Sequence, residues 1–456
     1  MYKISNIKKR SLLAILAIAL FTSCEKFLDV KPTDSLLADN AIYDAKTARA
    51  LVNAGYSNLK SYSNNAGLNL AILPGDNVFF GGSQSQNIEL DNHAFTVTNS
   101  AIVGAYASNY TLINIVNWAI AEIPKIDDPA FETGEQNKLV AEAYFIRAFA
   151  YFNLVRSWGG IQLQLNPTKD LKSLGSIPRS SVEENYNQIF QDLDKSEELL
   201  PEDNSSTRNK IQKSIVRAFR AKVALYAKKF DLAEQEAQAV ISLAKYNLVK
   251  PYSKFFEVPF LSTEAILELS ATSNNSGTSG TMWFPASGTP RGSYEFRPTN
   301  EIITLLNDPA KGGNRKALLA TRGNDIYVNL YHTVSPNINP AYVIRLADLY
   351  LISAEAKARK TNPNISSSIA DLNKVRDRAE AELYPITATD PTALIKAIWE
   401  ERRLEFAFEA DRWYDLVRTE QAKNVLGIEK NFWLFPIPQA DVLADVDLNG
   451  ENNPGY

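Results

Sequence analysis

The chain has 456 residues, a formal net charge of −4 at pH 7 and a 45% apolar composition with 10% aromatics. This supports a core large enough for one large or two modest domains, and the lack of a basic block argues against nucleic acid as a partner. One cysteine and two histidines exclude an intrachain disulfide and a zinc site of the usual His/Cys proportions.

Residues 1–10 are polar and basic (Lys3, Lys8, Lys9, Arg10), residues 12–21 are almost unbroken apolar, and Phe21-Thr22-Ser23-Cys24 closes the segment. This is the layout of a secretion signal. It is too short to cross a bilayer as a helix, which takes about 20 residues. Small residues just before Cys24 indicate a lipoprotein signal over residues 1–23, with Cys24 becoming the lipidated first residue, although Phe21 stands where an aliphatic residue is usual. An ordinary secretory signal ending near Ser23 would instead leave a free thiol. No later stretch is apolar for long enough to span a membrane, so the expected membrane contact is lipid on Cys24.

Val140, Ala143, Tyr144, Ala148, Tyr151, Phe152 and Val155 recur at steps of three and four and predict a helix. Ala141, Phe145 and Phe149 widen its apolar face, so it needs neighbours on two sides. Gly159-Gly160 ends it, and a partner helix is expected over residues 182–200, stopped by Pro201. Ala218, Ala221, Leu225, Tyr226, Phe230, Ala233, Ala237 and Val240 predict two antiparallel helices joined near residues 228–231. That spacing approximates a tetratricopeptide helix–turn–helix. Residues 344–379, broken at Pro363, and residues 393–418 predict two further pairs. Residues 61–100, 270–300 and 422–456 read as long loops, and such loops in a compact chain tend to be functional.

Several blocks occur in a recognisable order: Phe27-Leu28-Asp29-Val30-Lys31-Pro32, Leu154-Val155-Arg156-Ser157-Trp158-Gly159-Gly160, Leu372-Asn373-Lys374-Val375-Arg376, Glu400-Glu401-Arg402-Arg403-Leu404-Glu405-Phe406, Asp411-Arg412-Trp413-Tyr414-Asp415-Leu416 and Asn453-Pro454-Gly455-Tyr456. Together they resemble the SusD/RagB lipoproteins of Bacteroidetes nutrient-uptake systems. The resemblance implies a mostly α fold, a tetratricopeptide-like helical repeat scaffold with an irregular, loop-rich, minor-β ligand-binding region. It implies one domain over residues 24–456, with an N-terminal part to about residue 200, the remaining repeats after it, and a loop-rich insert at 270–340. It further implies a non-enzymatic protein without a cofactor, anchored to the outer membrane and facing outward. Such a protein binds oligosaccharide and delivers it to a SusC-like TonB-dependent transporter; some members take peptides instead.

Catalytic chemistry is sparse. Glu401, Glu405 and Glu409 fall one turn apart on one predicted helix face, whereas a glycosidase needs two carboxyls about 5–10 Å apart across a cleft. With Arg402, Arg403 and Arg412 close in sequence, the expectation is an ion-pair network, shared with Asp411-Arg412-Trp413; a surface glycosidase is the alternative. His93 and His332 are expected to be structural or solvated. Gly81-Gly82 and Gly312-Gly313 lack the strand–turn–helix setting and the lysine of a phosphate loop.

Sugar binding needs rings to stack on pyranose faces and planar polar groups for the hydroxyls. Two loop clusters offer both. One is Asp76-Asn77-Val78-Phe79-Phe80 with Gln84 and Gln86; the other is Trp283-Phe284, Arg291, Tyr294, Phe296 and Arg297. The ligand-contact candidates are Asn77, Phe79, Phe80, Trp283, Phe284, Arg291, Tyr294 and Phe296. The competing reading is that these rings pack the loops onto the scaffold. The helical array is the expected transporter-docking surface.

Overall fold

The computed structural model describes residues 42–169, 177–203, 207–272, 279–448 and 450–456. The signal segment, Cys24 and the block from Phe27 to Pro32 lie outside the described residues. Residues 44–456 form one compact unit.

The helices of the first half are α1 (Ala45–Asn64), α2 (Ala66–Ile72), α3 (Ser85–Asp91), α4 (Ser100–Glu122), α5 (Glu135–Trp158), α6 (Val182–Leu199), α7 (Lys213–Tyr226) and α8 (Phe230–Ile241). Local chemistry sets several ends. Asp44 caps α1 in a capping box with Thr47, and Ser181 does the same for α6 with Glu184. Gly159 closes α5 at φ 75°, a left-handed angle that glycine adopts without steric cost.

The predicted array is present. Helix α5 is buried on nearly every face and packs between α4 and α6, while α7 pairs with α8. Phe145, Phe149 and Phe152 of α5 surround Phe219 of α7 at ring separations of 5.2, 5.3 and 5.4 Å. Ala221 and Ala233 are fully buried, consistent with close helix approach.

The second half contributes α9 (Ser279–Trp283), α10 (Asn300–Asn307), α11 (Leu346–Arg359), α12 (Ile365–Ala379), α13 (Pro391–Glu405), α14 (Arg412–Arg418), α15 (Ala422–Leu426) and α16 (Gln439–Ala444). Helix α11 packs on α8, α12 and α13, continuing the array. Among the described residues there are three two-stranded antiparallel sheets: β1 (Val78–Phe80) with β3 (Phe296–Pro298), β2 (Ala265–Leu269) with β6 (Ala341–Arg345), and β4 (Leu319–Arg322) with β5 (Asp325–Val328).

Three expectations change. Ile344 and Arg345 end strand β6 rather than begin a helix, because Ile344 and Arg345 pair with Leu267 and Ala265. About half of residues 61–100 is helical: Ser, Asn and Gly there sit partly in short helices whose apolar sides reach the core at Leu68, Leu70 and Leu90. Residues 422–456 are pinned to α5, with the Trp158 indole donating to Pro436 O (2.9 Å) and Asn453 Nδ2 to Trp158 O (2.9 Å). Among the described residues, no helix is long and apolar enough to cross a membrane.

Candidate functional site

The two loop clusters meet in the β1–β3 sheet, whose register sets Phe79 opposite Arg297 and Phe80 opposite Phe296. Strand side chains alternate between faces. Val78, Phe80, Phe296 and Pro298 turn inward, leaving Phe79, 41% exposed, and the half-buried Arg297 on the outer face. The guanidinium of Arg297 lies 4.5 Å from the Tyr294 ring centre and 5.9 Å from that of Phe79, and its Nε donates to Tyr294 O (3.0 Å). Phe79, Arg297 and Tyr294 therefore form one shelf of rings around a planar cation.

Two backbone features hold that shelf. Tyr294 has φ 51°, a left-handed angle that is costly for a bulky residue. It is retained where the Tyr294 hydroxyl donates to Ile326 O (2.7 Å), tying the shelf to β5. Gly81 donates its N–H to Glu295 O (2.6 Å), and a Cβ there would stand 2.6 Å from Arg297 Nε. Only glycine leaves room for the guanidinium as it lies.

Polar groups flank the rings. Gln84 Nε2 donates to Glu295 Oε1 (3.3 Å), while Gln84 Oε1 has no partner. Gln86 and Met282 line a neighbouring cavity of about 220 Å³ with Asn65, Asn69, Asn87 and Ser100. Glu295 donates to Met282 O (2.8 Å), so the cavity and the shelf share one backbone link. Amide-rich linings of this type offer donors and acceptors to hydroxyls.

The candidates divide sharply. Phe79 and Tyr294 reach the outer face, and Arg291 is exposed. Trp283, Phe296, Phe80, Phe284 and Asn77 are buried and engaged in packing or hydrogen bonds within the protein. Trp283 stacks on Tyr331 (5.6 Å) and meets Phe296 (5.1 Å), and Phe284 packs on Tyr327 (4.8 Å). Asn77 works as a clamp: Nδ2 donates to Ala407 O (3.0 Å), and Oδ1 accepts from Arg403 Nε (2.9 Å). Hairpin β4–β5, which carries Ile326 and Tyr327, lay outside the two clusters. Its signal is the Gly323-Asn324 pair between two strand-like runs.

The carboxylate stripe is an ion-pair network, with partners other than those nearest in sequence. Arg315 binds Glu401 and donates from Nε to Glu405 (2.8 Å). Arg345 reaches Glu264, Glu405 (2.9 Å) and Glu409 (2.7 Å), and Arg378 binds Glu264 and Glu405. Arg402 instead serves Asp348 and Asp415, while Arg403 and Arg412 serve Asp76. Helix α13 ends at Glu405, so Glu409 lies in the following turn. Burial disfavours ionisation of Glu405, but the guanidiniums of Arg378, Arg315 and Arg345 outweigh it and hold the carboxyl down at about 2. At Glu409 burial prevails over Arg345 and raises the carboxyl to about 7. Glu401 and Glu405 have no exposed side-chain surface, so neither faces a cleft.

His93 Nε2 is bonded to Pro74 O (2.8 Å), and its ring lies 6.1 Å from Trp413, a packing position. Burial lowers the imidazole pKa of His332, whose ring lies beside Phe256 and Phe260.

Residues 281–432 match the model described as the SusD family, and residues 26–225 match one described as starch-binding associating with outer membrane. SusD-like protein P38 of Formosa agariphila is 26% identical over 94% of this chain and 94% of its own. Among solved structures, a laminarin binding SusD-like protein superposes with a TM-score of 0.77 at 22% identity, covering 91% of this chain and all (100%) of that one. NanU of B. fragilis gives the same TM-score of 0.77 at 22% identity, over 94% of this chain and 100% of its own. The two family matches lie at either end of one helical-repeat fold, and the chain belongs to the SusD/RagB family.

Proposed function

We propose that this protein binds oligosaccharide without catalysing its cleavage, on the shelf formed by Phe79, Tyr294 and Arg297. The observation that carries this reading is the β1–β3 register, which sets the exposed Phe79 opposite Arg297, whose guanidinium lies over the half-buried Tyr294 ring. Ring faces accept the C–H faces of a pyranose, while the amide-lined cavity and the exposed Arg291 offer polar groups to hydroxyls. The engagement of Glu401 and Glu405 by arginines supports a binding role over a glycosidase. The family description and the neighbour named as laminarin binding support a glycan as ligand.

In the same reading, Cys24 carries the lipid, the protein faces the cell exterior on the outer membrane, and the helical array docks on a SusC-like TonB-dependent transporter. Ligand that binds the closed assembly better than the open one biases closure. Calorimetry of the mature protein against laminarin- and starch-derived oligosaccharides and a peptide panel tests the ligand class. Glycan binding lost on Tyr294→Ala supports the proposal; binding confined to peptides overturns it.

A further inference from the structure

Away from the shelf, a cavity of about 50 Å³ lies among Tyr62, Gly67 and Leu68 at the α1–α2 junction, Phe149, Asn153 and Arg156 of α5, Phe219 and Lys222 of α7, and Tyr342 of β6. Besides the Tyr62 hydroxyl, three buried polar atoms of its lining have no hydrogen-bond partner: Asn153 Nδ2, Arg156 Nε and the Tyr342 hydroxyl. A buried donor left unpaired is costly, so three in one cavity call for an occupant. Two of them donate only, and the phenol, which burial raises well above its usual pKa, stays protonated and also donates. The complement is a group rich in acceptors.

Charge points the same way. The Asp411 carboxylate is held by Lys222 at 2.8 Å and approaches Arg156 no closer than 3.7 Å. Lys222 also reaches Asp348 (3.2 Å), whereas Arg156 rests between the rings of Tyr414 (4.0 Å) and Phe152 (5.0 Å). The lining thus carries two cations and one anion; Asp348 adds a second carboxylate on Lys222, while Arg156, whose Nη2 donates to Asn153 Oδ1 (2.7 Å), is the cation without a close carboxylate. Its other walls, Leu68, Phe149 and Phe219, are apolar and suit a short hydrocarbon tail. Gly67 is part of the construction, since a Cβ there would stand 2.6 Å from the Tyr62 ring.

We propose that this cavity is a binding site for a small organic carboxylate, with its oxygens toward Arg156, Asn153 and Tyr342 and its alkyl end on the phenylalanine wall. The site is separate from the glycan shelf and does not depend on it. The short gap between these polar atoms and the phenylalanine wall suits acetate or propionate.

The test is thermal unfolding of the mature protein in sodium acetate against sodium chloride at equal ionic strength. Binding to the folded state raises the midpoint progressively with ligand concentration. The midpoint is expected to rise with acetate and not with chloride. Tyr342→Phe, which removes an oxygen that bonds nothing in the protein, should weaken the acetate effect about tenfold in concentration. Ala341→Leu, which fills the cavity, should abolish it. An equal response to chloride, no response to acetate, or an acetate response unchanged in Tyr342→Phe would each overturn the proposal. Tyr342→Phe keeps the test decisive even if Ala341→Leu does not fold.

Discussion

Arg297 and Tyr294 are coupled twice: the guanidinium covers the phenol ring at 4.5 Å and its Nε donates to the tyrosine's own carbonyl at 3.0 Å. The pair fixes both the ring plane and the cation, so the shelf exists before any ligand arrives. A preformed surface spends less binding energy on ordering side chains.

Truncating the shelf should therefore cost affinity. Tyr294→Ala and Phe79→Ala are each expected to weaken glycan binding by about tenfold or more, on the scale of aromatic anchors at interfaces. Calorimetry reads the affinity, and an unchanged melting midpoint separates lost contact from lost fold.

Gly81 offers a test that leaves every candidate contact in place. In Gly81→Ala the new methyl meets the far end of a flexible side chain, so Arg297 moves aside and the fold survives. Glycan affinity should fall while urea unfolding stays close to wild type. Retained affinity would mean that the position of Arg297 does not matter.

Glu405 predicts the acid limb of stability. Its folded carboxyl sits at about 2, below an ordinary glutamate near 4.3. Its stabilising contribution is complete above about pH 4.3 and is lost as pH falls towards 2. Near neutral pH, Glu405→Gln leaves three buried guanidiniums short of a counter-charge and should cost about 3–5 kcal/mol. Urea titrations of both proteins at neutral and acid pH measure the difference, which should shrink in acid.

Glu268 predicts the opposite limb. Burial raises its carboxyl to about 8 against the Leu261 N–H and Arg208, and Oε2 has no partner. The folded state therefore holds a proton that the unfolded chain releases near pH 4.3. Stability falls as pH rises from there to about 8, by at most about 1.4 kcal/mol for each pH unit. Glu268→Gln keeps an acceptor for Leu261 and should flatten this limb in melts across the same range.

Cys24→Ala should shift the protein from the membrane to the soluble fraction while leaving the glycan affinity of the folded body unchanged. Fractionation and calorimetry on the same variant separate the anchor from the site; a fall in affinity would contradict their independence.

The sequence by itself determined the helical scaffold. Periodicity at steps of three and four located α5 to α8 and much of α11 to α14, because one apolar face per helix is a local property. It also indicated that the carboxylate stripe is structural. The arginine partners were another matter: Arg315 and Arg345 come from elements some 60 to 90 positions away, beyond the reach of helical spacing. Tertiary structure alone decided the proposed shelf. Residues 78–80 and 296–298 pair across more than 200 positions, and strand alternation then turns Phe79 outward and Phe80 inward. In a loop without periodicity, a ring committed to the core and a ring offered to ligand have the same spelling. Burial distinguishes them: Trp283 anchors the loop, whereas Tyr294, held at a left-handed backbone angle, stays half-buried on the outer face.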